Sequence, residues 1–157
     1  MNSNYPAITP AIVVTDAAKA LDFYKAAFGA EERYRMSTPG GGVAHAEFTI
    51  QGQLMMIGDE MPGMNKSPTT LGGVVGKLVL QVPDTDTAFD RAVTAGATAV
   101  MPPDNQFYGW RMGVVRDPFG HEWMIQHEVE TVSPEEMERR WAAMLASGNG
   151  SCGDSAK

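Results

Sequence analysis

The segment RDPFGHEWMIQHE, from Arg116 to Glu128, places two histidines and two glutamates within a few residues of one another. Imidazole and carboxylate are the usual donors to a divalent metal, and the usual partners in proton transfer. A second candidate is His45 with Glu47, two positions apart in GVAHAEFTI. A third is the loop MPPDNQFYGWRMG, where Phe107, Tyr108, Trp110 and Arg111 cluster. Aromatics beside an arginine suit the mouth of a pocket for a planar or anionic small molecule. They equally suit a loop that anchors itself by burying its rings. The methionines, Met55, Met56 and Met124 among them, suit an adaptable apolar pocket or plain core filling. Gly40 to Gly42 lack the following Lys-Ser/Thr and helix of a phosphate loop. Cys152 sits in a polar tail and reads as incidental.

Which of these groups meet depends on the elements that carry them. The first strand is expected over Ile8 to Val14. Asp16 caps the helix AAKALDFYKAAF, and Gly29 ends it. Leu21, Tyr24 and Phe28 form the stripe of a helix lying on a sheet. GGGVAHAEFTI and QLMMIGD, around Gln51-Gly52, read as a hairpin. A loop, DEMPGMNKSPTTLGG, has the length of a linker or lid. The pattern then restarts: strand GKLVLQV, cap Asp84, helix TDTAFDRAVTA ended by Gly96, a loop, and the hairpin WRMGVV–RDPFG–HEWMIQH. Aligning Asp16 with Asp84 also aligns Val14 with Val82 and Asp22 with Asp90. The order β-α-β-β, with room for a further strand, therefore occurs twice. Ser133, Pro134 and Glu136 make a capping box for a last helix with Met137, Trp141 and Met144 or Leu145 on one side. It belongs to neither repeat and is expected to pack across a module or a partner subunit.

Alternation separates the groups of the segment Arg116 to Glu128. His121, Trp123, Ile125 and His127 share one face of their strand; Glu122, Met124 and Gln126 share the other. A compact four-ligand site within that segment is thereby excluded, and its histidines are expected on the helix side in structural roles. His45 and Glu47 share a face, as do Thr9, Ala11 and Val13, and Lys77, Val79 and Gln81. Each strand thus has one apolar face for a helix and one mixed face. The mixed faces line a trough. There, His45, Glu47 and Glu122 could converge on a metal, or Glu47 could pair with Lys77.

Composition narrows the function classes. The chain has 157 residues, is 43% hydrophobic and carries a net charge of −7. It has no Lys/Arg stripe, so nucleic acid is not an expected partner. No apolar run has the length of a membrane span, and no secretory signal is legible at the start. With one cysteine there is no internal disulfide, and a cytoplasmic setting is expected.

The residues IVVTDAAKALDFYKAAFGAE and VVRDPFGHEWMI resemble the vicinal oxygen chelate superfamily, which includes glyoxalase I, bleomycin-resistance proteins and extradiol dioxygenases. The resemblance covers roughly residues 6 to 128. It implies an α+β fold: two tandem βαβββ modules forming a curved mixed sheet around a cleft, to which the C-terminal helix is added. The implied domain is 1–130, with modules at about 6–60 and 75–128; the capping box and the tail composition add an expected helix at 131–146 and a disordered tail at 147–157. Homodimers are frequent in the family. The resemblance places the glyoxalase-type metal positions at Thr9, Glu47, Lys77 and Met124. Only Glu47 is an ordinary ligand there; an ammonium repels a metal and a thioether suits hard ions poorly. The expectation is a small-molecule binder without a metal or other cofactor, lined by Thr9, His45, Glu47, Lys77, Trp110, Arg111 and Met124. A metal-dependent lyase or isomerase with Glu47 as base, aided by His45, is the alternative. A dimeric interaction module using the Trp141 helix is a third.

Overall fold

The computed structural model describes residues 5–147. Cys152 and all but the first residue of the expected tail lie outside that range. The first module consists of β1 (Ala11–Val14), α1 (Ala17–Phe28), β2 (Glu31–Ser37), β3 (Val43–Ile50) and β4 (Gln53–Asp59). A one-turn helix, α2 (Pro68–Leu71), interrupts the linker. The second module repeats the order: β5 (Lys77–Gln81), α3 (Thr85–Thr94), β6 (Thr98–Asn105), β7 (Trp110–Arg116) and β8 (Glu122–Glu128). The C-terminal helix, α4, spans Pro134–Ala146. The fold is thus α+β, built of two tandem modules and a C-terminal helix.

The helix starts follow the sequence. Asp16 accepts from Lys19 N at 3.0 Å, Asp84 from Thr87 N at 2.8 Å and Ser133 from Glu136 N at 3.2 Å. Each satisfies an amide that the first helical turn leaves without a partner. Gly29 ends α1 in the left-handed region, at φ 68°. The first strand is shorter than expected. Ile8 is 83% exposed, and Pro10, which has no N–H, only offers its carbonyl to Met56 N.

The two sheets have the orders β1-β4-β3-β2 and β5-β8-β7-β6. No ladder joins β1 to β5, so the single curved sheet of the sequence reading is two four-stranded sheets. They are held together on the helix side. α1 and α3 pack on each other, and Arg91 of α3 donates to the Ala26 carbonyl near the end of α1 at 2.7 Å. Tyr24 and Phe28 of α1 sit against Trp123 of β8, with ring centroids 5.4 and 4.7 Å apart. His121 bonds the Val13 carbonyl at 2.9 Å. The core therefore runs through both modules as one cluster, from Val14 and Phe48 to Phe89, Trp123 and Ile125. Burying each such side chain contributes roughly 1.5–3 kcal/mol.

β2 and β6 are strands in segments where the sequence pattern predicts connections. Every residue of β2 is exposed, and β6 is nearly so. Both are outer edges with no buried face to impose alternation, and β6 carries Pro102 and Pro103, which a central strand would not tolerate.

Candidate functional site

The face of the sheets away from the helices is set by alternation. Ile12, Val14, Ala46, Phe48, Ile57, Trp123 and Ile125 point into the core. Ala11, Val13, His45, Glu47, Met56, Lys77, Val79, Glu122 and Met124 therefore face the other way. The two modules match in register as well as order. Ala11 pairs with Met56 between β1 and β4; Val79 pairs with Met124 between β5 and β8. Residues 11 and 79, 56 and 124, and the caps 16 and 84 all stand at one constant offset. By that offset Thr9 corresponds to Lys77, and the counterpart of Met124 is Met56. Glu47 lies one strand further out, on β3, directly opposite Met56.

The internal symmetry thus corrects the set of metal positions carried over from the family. The four equivalent places are Thr9, Met56, Lys77 and Met124. They offer one hydroxyl, two thioethers and an ammonium. This set does not fit a divalent metal of the glyoxalase kind, which needs imidazole and carboxylate donors. Among the described residues no group of three or more His, Cys, Asp or Glu converges to hold a metal ion.

Glu47 forms a cluster of its own on the wall of the first module. It is 7% exposed, accepts from the Tyr5 hydroxyl at 2.7 Å, and has His45 Nε2 at 3.6 Å. The Tyr5 hydrogen bond lowers its pKa from the ordinary value; burial opposes this, and His45 adds to the lowering. Tyr5 is raised in turn by the same bond and by the carboxylate's charge. The Tyr34 ring of β2 lies 6.4 Å from that of His45. The wall is thus a fixed carboxylate rimmed by two phenols and an imidazole.

Lys77 faces Glu122, at 3.3 Å, and not Glu47. Glu122 also takes Arg116 at 2.8 Å. Arg116, first, and Lys77 together lower the Glu122 pKa. The imagined His45–Glu47–Glu122 triad is therefore split between modules, with Glu122 committed to two cations. Met124 is half-buried between Val79 and Val114. Trp110 is half-buried at the start of β7, on the Met112 and Val114 side by parity.

Arg111 stands elsewhere. It pairs with His127 across β7 and β8, on the helix side, and grips Asp86 of α3 with Nε at 2.5 Å and a terminal nitrogen at 2.7 Å. A guanidinium held two-pronged in this way is engaged in fixing α3. His127 Nδ1 accepts from Thr85 N at 3.0 Å, so both histidines of the opening segment bind backbone on the helix side.

Sequence reasoning missed three residues near the site. Met56 was legible through the repeat offset. Arg116 was read only as the start of a turn. Tyr5 lies ahead of any periodic pattern and gave no signal.

This architecture of paired βαβββ modules around a cleft defines the class. The chain belongs to the Glyoxalase/Bleomycin resistance protein/Dioxygenase superfamily, whose family model matches residues 7–125. An uncharacterized protein of Mycobacterium bovis is 43% identical over 149 residues, covering 92% of this chain and 96% of that one. An uncharacterized protein of Mycobacterium tuberculosis is equally similar, with 86% of its length covered. TioX from Micromonospora sp. ML1 shares 27% identity with a TM-score of 0.62, over 78% of this chain and 98% of that one. A gene product from Arabidopsis thaliana shares 27% identity with a TM-score of 0.64, over 78% and 99%. Among the described residues no helix is long and apolar enough to cross a membrane.

Proposed function

We propose that this chain binds a small amphipathic organic molecule in its cleft, without a glyoxalase-type metal centre, and that it does so as a cytoplasmic homodimer. One observation carries the reading. The four symmetry-related positions Thr9, Met56, Lys77 and Met124 supply thioether and aliphatic surface where a metal site needs hard donors. Val79, 55% exposed beside Met124, adds apolar surface open to a ligand. The polar contacts available to such a ligand are His45 and Glu47 on one wall and Lys77 on the other, with Thr9 and Trp110 completing the lining. Arg111 drops out of this set because Asp86 holds it on the helix side.

The test combines elemental analysis of tag-free protein with thermal melts against a library of amphipathic compounds. The reading expects no stoichiometric metal and a melt raised by several degrees with at least one compound. That shift is reduced in Met124→Glu. A near-stoichiometric divalent metal, or no compound that stabilises the wild type, would overturn it.

The second reading, a lyase or isomerase with Glu47 as base, draws on the His45–Glu47 pair. A general base works best with its pKa near the working pH. The Tyr5 hydrogen bond moves Glu47 the other way, which favours the carboxylate as a fixed acceptor for a ligand N–H or O–H.

A further inference from the structure

The linker between the modules builds a cavity apart from the Glu47 wall. It has a volume of about 350 Å³ and lies where the β1 and β5 edges face each other without hydrogen bonds. Val13 and Leu78 line it from the strands; Pro68, Leu71 and Val74 line it from the linker. A cavity of about 430 Å³ adjoins it across the same linker residues and is lined by Arg116 and Glu122. Both volumes fall in the roughly 300–1,000 Å³ range of small-molecule sites.

Three observations at this place need a common explanation. First, the linker leaves apolar side chains in water: Leu71 is 65% exposed, and Val75 is fully so. These are the residues beside the apolar cavity, and a ligand tail entering it would cover them. Secondly, the cavity is framed by Lys66 and Lys77. Glu60 lies near Lys66 and Glu122 beside Lys77, so each lysine has one carboxylate neighbour. Glu122 is shared between Lys77 and Arg116, so one carboxylate offsets two cations. Thirdly, Gly72, Gly73 and Gly76 have open space around them, which leaves the linker room to adjust over an occupant.

We infer that the module junction is a binding site for an amphipathic anion, an alkyl or aryl carboxylate. Its tail lies between β1 and β5 beneath the linker, and its carboxylate meets Lys66 and Lys77. The site shares Lys77 with the cleft, whereas Lys66, Leu71 and Val74 take no part in the cleft and so distinguish the two readings.

Decanoate, measured by calorimetric titration of the full chain, is the probe. Decyltrimethylammonium serves as the cationic control and decanol as the neutral one. The expected result is saturable binding of decanoate in preference to both controls. Lys66→Glu and Leu71→Asp each weaken it about fivefold or more, on the scale of one exposed charge contact or one partly buried aliphatic group. Glu47→Gln leaves it unchanged. The melts of both linker variants report that the fold is kept. If decanoate does not saturate, if the cationic control binds as well, or if Glu47→Gln weakens binding while Lys66→Glu does not, the inference is overturned. The last outcome would place the carboxylate in the cleft and leave the cleft reading standing.

Discussion

The Tyr24 hydroxyl donates to Asp117 Oδ2 at 2.7 Å, joining α1 of the first module to the turn before β8, 93 residues later in the chain. Trp123 Nε1 donates to the same oxygen at 2.9 Å. The amides of Phe119 and His121 donate to Oδ1 at 2.9 and 3.0 Å. Asp117 is 4% exposed, and these four donors replace the water it has lost. The motif Asp-Pro-Phe-Gly is therefore more than a turn: its carboxylate fastens the modules together. Burial and the adjacent carboxylate hold the Tyr24 phenol well above its ordinary pKa, so it remains a donor.

Tyr24→Phe should therefore destabilise the whole chain with little change in shape. Losing one hydrogen bond to a buried charge costs about 1.5–3 kcal/mol. For a chain of this size that lowers Tm by about 3–12 °C. Because Tyr24 and Trp123 share one oxygen, Tyr24→Phe and Trp123→Phe should combine non-additively. Thermal melts of the two single variants and the double variant measure this. A Tyr24→Phe protein melting with the wild type would remove Asp117 from the role of fastener.

The shared register of the two modules can be tested by building a metal site on it. If Met56, and not Glu47, is the counterpart of Met124, then Thr9→His, Met56→Glu, Lys77→His and Met124→Glu together should create a site for Zn²⁺ or Ni²⁺. The variant that keeps Met56 and relies on Glu47 should not. Metal content after dialysis, with the rise in melting temperature on adding metal, distinguishes them. Equal loading of both variants would show that Glu47 reaches the centre of the cleft and that the offset misplaces the site.

Much of this arrangement was legible before any coordinates, and the exceptions have physical reasons. The strands with one buried face, such as β3 and β8, announce themselves by alternation, and capping oxygens mark the starts of α1, α3 and α4. β2 and β6 have no buried face, so EERYRMS and TAVMPPDN read as connections. In β7, Met112, Gly113, Val114 and Val115 are all buried, so alternation cannot tell which side Arg111 takes. Its Asp86 partner lies 25 positions away and leaves no local mark. The offset that identifies Met56 is present in the aspartate caps Asp16 and Asp84. Tyr5 reaches Glu47 from outside any regular element, and only coordinates reveal such a contact.

The Tyr5–Glu47 bond sets a pH window for the docking of the N-terminal segment. Glu47 has its pKa lowered on folding, so its contribution is complete above the ordinary value of 4.5 and is lost as the pH falls through the lower folded one. Tyr5 has its pKa raised, so its contribution is present below the ordinary value of 10.0 and is lost as the pH rises through the higher folded one. Tyr5→Phe should move the Glu47 titration back towards its ordinary range. Carboxyl ¹³C resonances of Glu47 across an acid titration report this. An identical midpoint in wild type and Tyr5→Phe would mean that the phenol does not hold the carboxylate in solution.

The C-terminal helix should detach without unfolding the domain. None of its residues is buried, and it rests on the turn between β6 and β7. Trp141 lies 5.5 Å from the Phe107 ring, and Arg140 reaches the Phe107 carbonyl at 3.2 Å and Glu130 at 2.7 Å. Arg139 and then Arg140 lower the Glu136 pKa to about 2. That ion-pair contribution is therefore whole above pH 4.5 and fades as the pH approaches 2. Exposed pairs of this kind are also screened by salt, over a Debye length of about 10 Å at 0.1 M. Arg140→Gln removes the bridges to Glu130, Glu136 and Phe107 together. Its expected effect is faster amide exchange across residues 134–146 and a redder Trp141 emission, while β3 and β8 keep their protection. Exchange in α4 that matches the wild type in Arg140→Gln would assign the docking to the Phe107–Trp141 contact alone. Loss of protection in β3 and β8 would instead make α4 an integral part of the domain.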